Sequence, residues 1–180
     1  MKQKHSLNKA FAHGASVPVY YFIINSPLGP LTLVGTRTGL NQLLINVSEK
    51  KFLLQIRYTN RLYQKRDIYF KKITADLKKY FDGSAVEFSS PLDLFGSSFQ
   101  KKVWKICSGI SYGQVKPYSW ISKQLGPAQS ARAVGNALAS NQIPIIIPCH
   151  RVIRKNGSLG GYTGGLRIKK KLLEIEQARA

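Results

Sequence analysis

The chain has 180 residues, 43% of them hydrophobic and 20% charged, a composition that supports a folded core and excludes a disordered chain. Its 28 lysines and arginines face eight acids, and a formal net charge of +20 calls for an anionic partner, most commonly nucleic acid; a generally lysine-rich background is the competing reading. Two cysteines and three histidines, with no C-x-x-C or H-x-x-x-H spacing, exclude a disulfide framework and offer no zinc site.

Residues 1 to about 17 mix Lys2, Lys4, His5 and Lys9 and read as a loose basic arm. The apolar run that follows is short, contains Pro18 and has no small-residue cleavage site after it, so a signal peptide is not expected. Nothing in the chain approaches the length of a membrane span. The expected setting is intracellular, where a lone thiol stays reduced.

Val19–Ile24 is rich in aromatic and β-branched residues and predicts a strand. A turn over Asn25–Pro30 leads to a second strand, Leu31–Val34, and Thr38-Gly39 to a third, Leu40–Val47, together an antiparallel meander. Lys50–Lys72 suggests partial helix. Ile73, Leu77, Tyr80 and Phe81 then recur at helical spacing until Asp82-Gly83 ends the helix, and Val86-Glu87-Phe88 suggests one more short strand. This half shows no catalytic constellation and reads as a scaffold.

The texture changes after Asp93: no acid appears until Glu174, while 14 lysines and arginines fall between Lys101 and Arg179. Ser97 and Gln100 match a capping box for a helix with Phe99, Val103, Trp104, Ile106 and Cys107 on its apolar face and Lys101, Lys102 and Lys105 opposite. Ser108-Gly109 closes it. Cys107 therefore reads as core filling. Tyr112–Pro117 is a turn region, and two short helices, Ser119–Leu125 and about Ser130–Ser140, separated by Gly126-Pro127, suggest a helix-turn-helix. The second carries small residues and Arg132 near its start, so its backbone can lie close to a nucleic-acid groove; the alternative for Arg132 is a solvated surface charge.

Pro144 and Pro148 forbid a regular helix or a central strand, so Asn141–Pro148 is expected to be an extended, buried connection with Asn141 satisfying its backbone. It delivers Cys149-His150-Arg151. A thiolate is favoured by neighbouring cationic or proton-accepting groups, and a histidine serving as base needs an orienting partner. Glu176, close to the inward stripe of a last helix over about Leu166–Gln177, is the candidate partner. Successive side chains point apart, so His150 is expected to act on Cys149 through a water or a turn. Between these elements come an Asn156-Gly157 turn and the glycine-rich loop Leu159–Leu166, whose bare backbone admits a flat ligand. A cysteine hydrolase is one reading; it leaves the charge and the Arg132 helix unexplained. A basic architectural DNA-binding protein is another.

Pro148-Cys149-His150-Arg151-Val152 resembles the active-site motif of the O6-alkylguanine-DNA alkyltransferases, and the resemblance extends over roughly Pro91–Glu176. It takes in Phe99-Gln100, Val103-Trp104-Lys105, Tyr112-Gly113, Tyr118, Ala131–Gly135, Asn141, Pro144, Gly160, Tyr162, Gly164-Gly165-Leu166 and Leu172-Leu173. It implies an α/β (α+β) fold: an N-terminal ribonuclease H-like domain over residues 1–93, with a small antiparallel sheet plus helix. The C-terminal domain, 94–180, would be mainly helical and winged-helix-like, with a helix-turn-helix. The implied activity is irreversible, stoichiometric transfer of an alkyl group from O6-alkylguanine, and O4-alkylthymine, in double-stranded DNA to Cys149, with no cofactor and no metal.

By the same resemblance His150 is the base acting through a water, Glu176 holds it, Asn141 orders the loop, and Tyr118 donates to N3 of the leaving guanine. Arg132 fills the gap left by the flipped nucleotide, with Ala131, Gly135, Tyr118 and Arg151 at the DNA. Pro144, Val152, Gly160, Tyr162 and Thr163 form the base pocket. A monomer in the cytoplasm, nucleoid-associated in a prokaryote or nuclear in a eukaryote, is the expected setting. Pro117 departs from the family, standing where a hydroxyl commonly caps the helix before Tyr118, and Thr163 replaces a common serine. A lesion binder of the alkyltransferase-like kind is the alternative; such proteins lack the cysteine that Cys149 supplies.

Overall fold

The computed structural model describes residues 17–59, 61–126 and 130–177; the basic arm up to residue 16 and Pro127 of the expected helix break lie outside them. Chain contacts divide the molecule into two units. One runs to Asp82 and takes in Glu87–Phe95; the other holds Gly83–Val86 and the chain from Gly96 onward.

In the first unit, β1 (Val19–Ile24), β2 (Leu31–Gly35) and β3 (Leu40–Ile45) form the antiparallel meander that their β-branched content predicts. Ser26 closes the first turn by donating its hydroxyl to the Gly29 carbonyl, at 2.7 Å. The ambiguous basic stretch resolves into α1 (Glu49–Ile56), capped by the Ser48 hydroxyl, then β4 (Tyr63–Lys65), a 3-10 turn and α2 (Lys71–Phe81). β4 joins β1 in parallel, so the sheet is mixed, in the order β3-β2-β1-β4. Phe52 and Ile56 of α1 cluster with Val19, Tyr21, Val34 and Val47 as a core. Val86–Phe88 is not a strand; the pairing near it is a single bridge between Leu92 and Leu40.

In the second unit, α3 (Ser98–Ser108) starts with the complete Ser97–Gln100 capping box and buries Val103, Trp104 and Cys107. The Trp104 indole N–H donates to the Ala137 carbonyl at 2.8 Å, and the Gln100 amide donates to the Ser140 hydroxyl at 2.8 Å. These bonds fix α5 (Ala131–Ala139), which follows α4 (Tyr118–Leu125). Within the expected turn Tyr112–Pro117, Lys116-Pro117 (β5) pairs in parallel with Val152-Ile153 (β6). Pro117 is the N-cap of α4 with no side-chain cap bond, so this ladder, rather than a hydroxyl, sets the start of the helix at Tyr118.

The last helix, α6 (Leu166–Gln177), turns Lys169, Leu172, Leu173 and Glu176 inward, while Ile168 and Ile175 are half-buried. Two of its four buried residues are thus charged, and charges are buried only where something meets them. Among the described residues no helix is long and apolar enough to cross a membrane.

Candidate active site

The site is built on a strained loop. Asn141–Pro148 is buried from Ile145 on and half-buried at Asn141, Gln142 and Pro144, but it is not extended: the Ile147 N–H donates back to the Ile143 carbonyl at 3.0 Å, and Ile145 has φ 76. A β-branched residue in that region carries real strain and persists only where its surroundings impose it. Asn141 is the imposing group. Its Nδ2 donates to the Ile147 carbonyl at 2.9 Å, and its Oδ1 accepts from the Ile143 N–H at 2.9 Å. The same Nδ2 lies 3.2 Å from Cys149 Sγ, so one amide holds the loop and the thiol together.

Cys149–Arg151 form a 3-10 turn, which separates the three side chains. Cys149 keeps 8% of its surface exposed, and His150 none. His150 Nε2 sits 2.6 Å from Oε1 of Glu176, which is 1% exposed. Burial opposes the charge on Glu176, but the hydrogen bonds and charges of His150 and Arg151 outweigh it and pull its pKa down to about 2. An ionised carboxylate only accepts, so Nε2 carries the proton in a neutral ring and the lone pair falls at Nδ1. Burial, against the pull of Glu176, lowers the pKa of His150, which suits a base that stays neutral and receptive.

Arg151, expected at the DNA, is instead inside, at 6% exposure. Its Nε reaches both Glu176 oxygens, at 3.0 and 3.2 Å, its Nη2 reaches Oε1 at 3.1 Å, and its Nη1 donates to the Ile110 carbonyl. The backbone N–H of Gly113 also donates to the carboxylate, at 3.2 Å. Planar donors in a fork meet a carboxylate this way, and a group so engaged has no reach left for phosphate.

The cation acting on Cys149 is Lys169, which the sequence reading passed over. Fully buried, its ammonium donates to the carbonyls of Val152, at 2.6 Å, of Leu159, and of Gly161, at 3.4 Å. Burial lowers its pKa to about 8, partly offset by the two cysteines. Burial likewise raises the Cys149 thiol, against the Asn141 hydrogen bond and the Lys169 charge. The resting group is therefore a thiol that must lose its proton as it reacts. The inward lysine was detectable, since Lys169, Leu172, Leu173 and Glu176 make one i, i+3, i+4, i+7 stripe. Cys107 is buried, as its helix face predicts.

The expected pocket residues divide. Tyr118, the first residue of α4, lies against Gly160: a Cβ there would fall 2.9 Å from its hydroxyl, at a backbone φ of 69 that already favours glycine. Its hydroxyl donates weakly to the Gly161 carbonyl, at 3.4 Å. The Tyr162 hydroxyl is buried without a hydrogen-bond partner among the described residues, and its ring packs on Gly164. Thr163 donates its hydroxyl to the Ala139 carbonyl at 2.9 Å, tying the glycine-rich loop to the end of α5. Pro144 is half-buried in the strained loop. Val152 is fully buried, so its side chain is core rather than wall; its carbonyl accepts from Lys169 and its N–H donates to the Cys149 carbonyl.

Ala131 and Arg132 stand exposed on the first turn of α5, whose N-cap Ser130 accepts from the Ala133 N–H. Gly135, one turn on, faces the Tyr118 ring, and a Cβ there would meet it at 3.8 Å, an ordinary contact. Among the described residues no group of three or more His, Cys, Asp or Glu could hold a metal ion.

Residues 98–178 match the sequence family described as 6-O-methylguanine DNA methyltransferase, DNA binding domain, and residues 19–94 match the ribonuclease-like domain of the same description. A methylated-DNA–protein-cysteine methyltransferase of Mycobacterium tuberculosis is 42% identical over 163 residues, covering 90% of this chain and 94% of that protein. One of Methanosarcina acetivorans is 38% identical over 158 residues, covering 88% and 98%. The crystal structure of Mycobacterium tuberculosis OGT in complex with DNA superposes with a TM-score of 0.77 at 40% identity, covering 91% of this chain and 95% of that one.

Proposed function

The chain belongs to the 6-O-methylguanine DNA methyltransferase family, and we propose from this that it repairs alkylated DNA by moving the alkyl group from guanine O6 to Cys149, once per molecule. The observation that carries the reading is the buried line of groups behind the thiol: Asn141 on Cys149 Sγ, and His150 in the same turn locked to ionised Glu176.

The chemistry follows from those groups. Cys149 loses its proton to His150 Nδ1, through a water, while sulfur attacks the alkyl carbon in line with the departing guanine oxygen. His150 becomes an imidazolium between Glu176 and the turn, and Glu176 stabilises that charge without taking the proton. The guanine leaves as an anion that must be protonated, and Tyr118 would donate to N3. A thioether does not leave again under these conditions, so the protein is consumed.

The target atom lies inside a duplex, so the nucleotide must be rotated out, at a cost of a few kcal/mol. Exposed Arg132 would fill the gap, and Ala131 and Gly135 allow α5 close to the minor groove. Tyr162, Gly160, Pro144 and Thr163 would enclose the base, with guanine the main substrate and O4-alkylthymine a second. On this reading residues 1–93 support residues 94–180, which bind DNA and accept the alkyl group. The charge supplies phosphate affinity, and a reduced thiol fits a cytoplasmic setting.

The test is to incubate the protein with a duplex containing O6-methylguanine, digest it, and weigh the peptide containing Cys149. A single added methylene is expected on it. Lesion binding with no adduct would leave the lesion-binder alternative standing instead.

A further inference from the structure

Arg154 begins the tight turn after β6, its N–H donating to the Ser158 carbonyl at 2.9 Å and its carbonyl accepting from Gly157 at 3.0 Å. Its side chain is exposed. The stem nevertheless lies along the pocket wall: a Cβ built on Gly160 would meet Tyr118 Oη at 2.9 Å and Arg154 Cγ at 3.4 Å, so arginine and tyrosine converge on one glycine. We propose that Arg154 forms an anion subsite beside Tyr118 at the rim of the base pocket, where it grips a phosphate flanking the flipped nucleotide. The proposal rests on the alkyl-acceptor reading above.

Three observations support it. Among the described residues no carboxylate pairs with this arginine: of the two acids in α6, Glu176 is held by His150 and Arg151, and Glu174 faces Lys170 at 3.8 Å. A nucleotide whose base enters between Tyr118 and the glycine-rich loop leaves its two phosphates outside that loop, where a rim guanidinium can form a two-pronged bond. The charge of Arg154 is also felt at the Tyr118 hydroxyl, where it opposes the rise caused by burial, whereas the cation felt at Cys149 is Lys169. Arg154 thus lies on the Tyr118 and Gly160 side of the site, the side from which N3 would be met.

The experiment measures single-turnover transfer at saturating protein for wild type, Arg154→Gln and, as a neighbouring-charge control, Lys155→Gln. The substrates are duplex O6-methylguanine, the free base O6-benzylguanine, which has no phosphate, and duplex O6-carboxymethylguanine. Arg154→Gln should slow transfer from both duplexes about tenfold, in line with loss of one charge-assisted hydrogen bond, and leave the free-base rate within about twofold. Lys155→Gln should weaken binding without changing either limiting rate. Equal slowing on free base and duplex would make Arg154 a support of the pocket and overturn the subsite. Weaker duplex binding with an unchanged limiting rate would reduce it to a general surface charge, and slowing confined to the carboxymethyl duplex would assign it to the adduct. Wild-type protein unreactive toward all three would overturn the alkyl-acceptor reading itself.

Discussion

His150 Nε2 and Glu176 Oε1 lie 2.6 Å apart, both out of reach of solvent, and the two residues come from a loop and a helix 26 positions away in sequence. That bond decides which ring nitrogen is available to the thiol. Glu176→Gln keeps the size but presents either an N–H or a weaker acceptor to Nε2, so the tautomer is no longer imposed. The transfer rate should fall by about 100-fold or more, as when other oriented histidines lose their carboxylate. Single-turnover transfer checks this, and a near-normal rate would remove Glu176 from the mechanism.

The same pair fixes the acid limit. Glu176 falls from 4.5 unfolded to about 2 folded, so its stabilisation is complete above 4.5 and is lost as pH falls toward 2. His150 is also lowered, from 6.5, so between that value and its folded pKa the unfolded chain takes up the proton first and stability again falls with acid. The transfer rate should be level near neutrality and drop only below pH 6.5, when Nδ1 is protonated. A rate that already declines from pH 8 downward would contradict a lowered histidine.

Asn141→Ala removes the donor to Cys149 and both bonds that fold Ile143–Ile147. The Ile143 N–H loses its partner, while the Ile147 carbonyl keeps the Cys149 N–H at 2.8 Å, so the loss should cost about 1 kcal/mol or more in urea unfolding. With the Sγ hydrogen bond gone, the pH midpoint of thiol alkylation by iodoacetamide should move upward. Lost stability with an unmoved midpoint would confine Asn141 to shaping the loop.

The meander, the capped α3 and the paired short helices could be read in advance because each is signalled locally, by β-branched runs, by Ser97 with Gln100 and by glycine breaks. β4 could not: three residues give no period, and the strand exists because β1 offers it an edge. Arg151, placed at the DNA by the resemblance, is buried because the fold brings Glu176 and the Ile110 carbonyl to it, which no local pattern signals. The same holds for Lys169, whose carbonyl partners belong to a strand and a loop. Pairing across distant elements is what the one-dimensional pattern lacks.

Arg151→Met tests the buried assignment. It leaves Glu176 with one fewer cationic partner in a closed site, and breaking such a pair costs about 3 kcal/mol or more. Its effect on DNA should be small once the protein is folded, with an unchanged slope of binding against salt. A slope shallower by about one ion would return Arg151 to the phosphate contacts.

Lys169→Met keeps length and loses three donors to carbonyls. Because the lysine falls from 10.5 to about 8 on folding, the unfolded chain binds more protons between those values, and the wild type should gain stability as pH rises through that window. The Met variant should lack that gain. Parallel stability curves for the two proteins from pH 8 to 10 would show that Lys169 is not the titrating group.

Arg132 stands exposed on the first turn of α5, beside small Ala131 and one turn before Gly135. If it fills the space of the departed nucleotide, it contributes after the base has left the stack, so its loss should act on the rate from duplex and not on the chemistry. Arg132→Ala should slow transfer from duplex O6-methylguanine by roughly tenfold, the scale of about 1.4 kcal/mol withdrawn from a flipping cost of a few. Transfer from the free base should be unchanged. Placing the lesion opposite an abasic site, where unstacking is easier, should restore much of the lost rate. A variant equally slow on paired, abasic and free-base substrates would place Arg132 outside the flipping step.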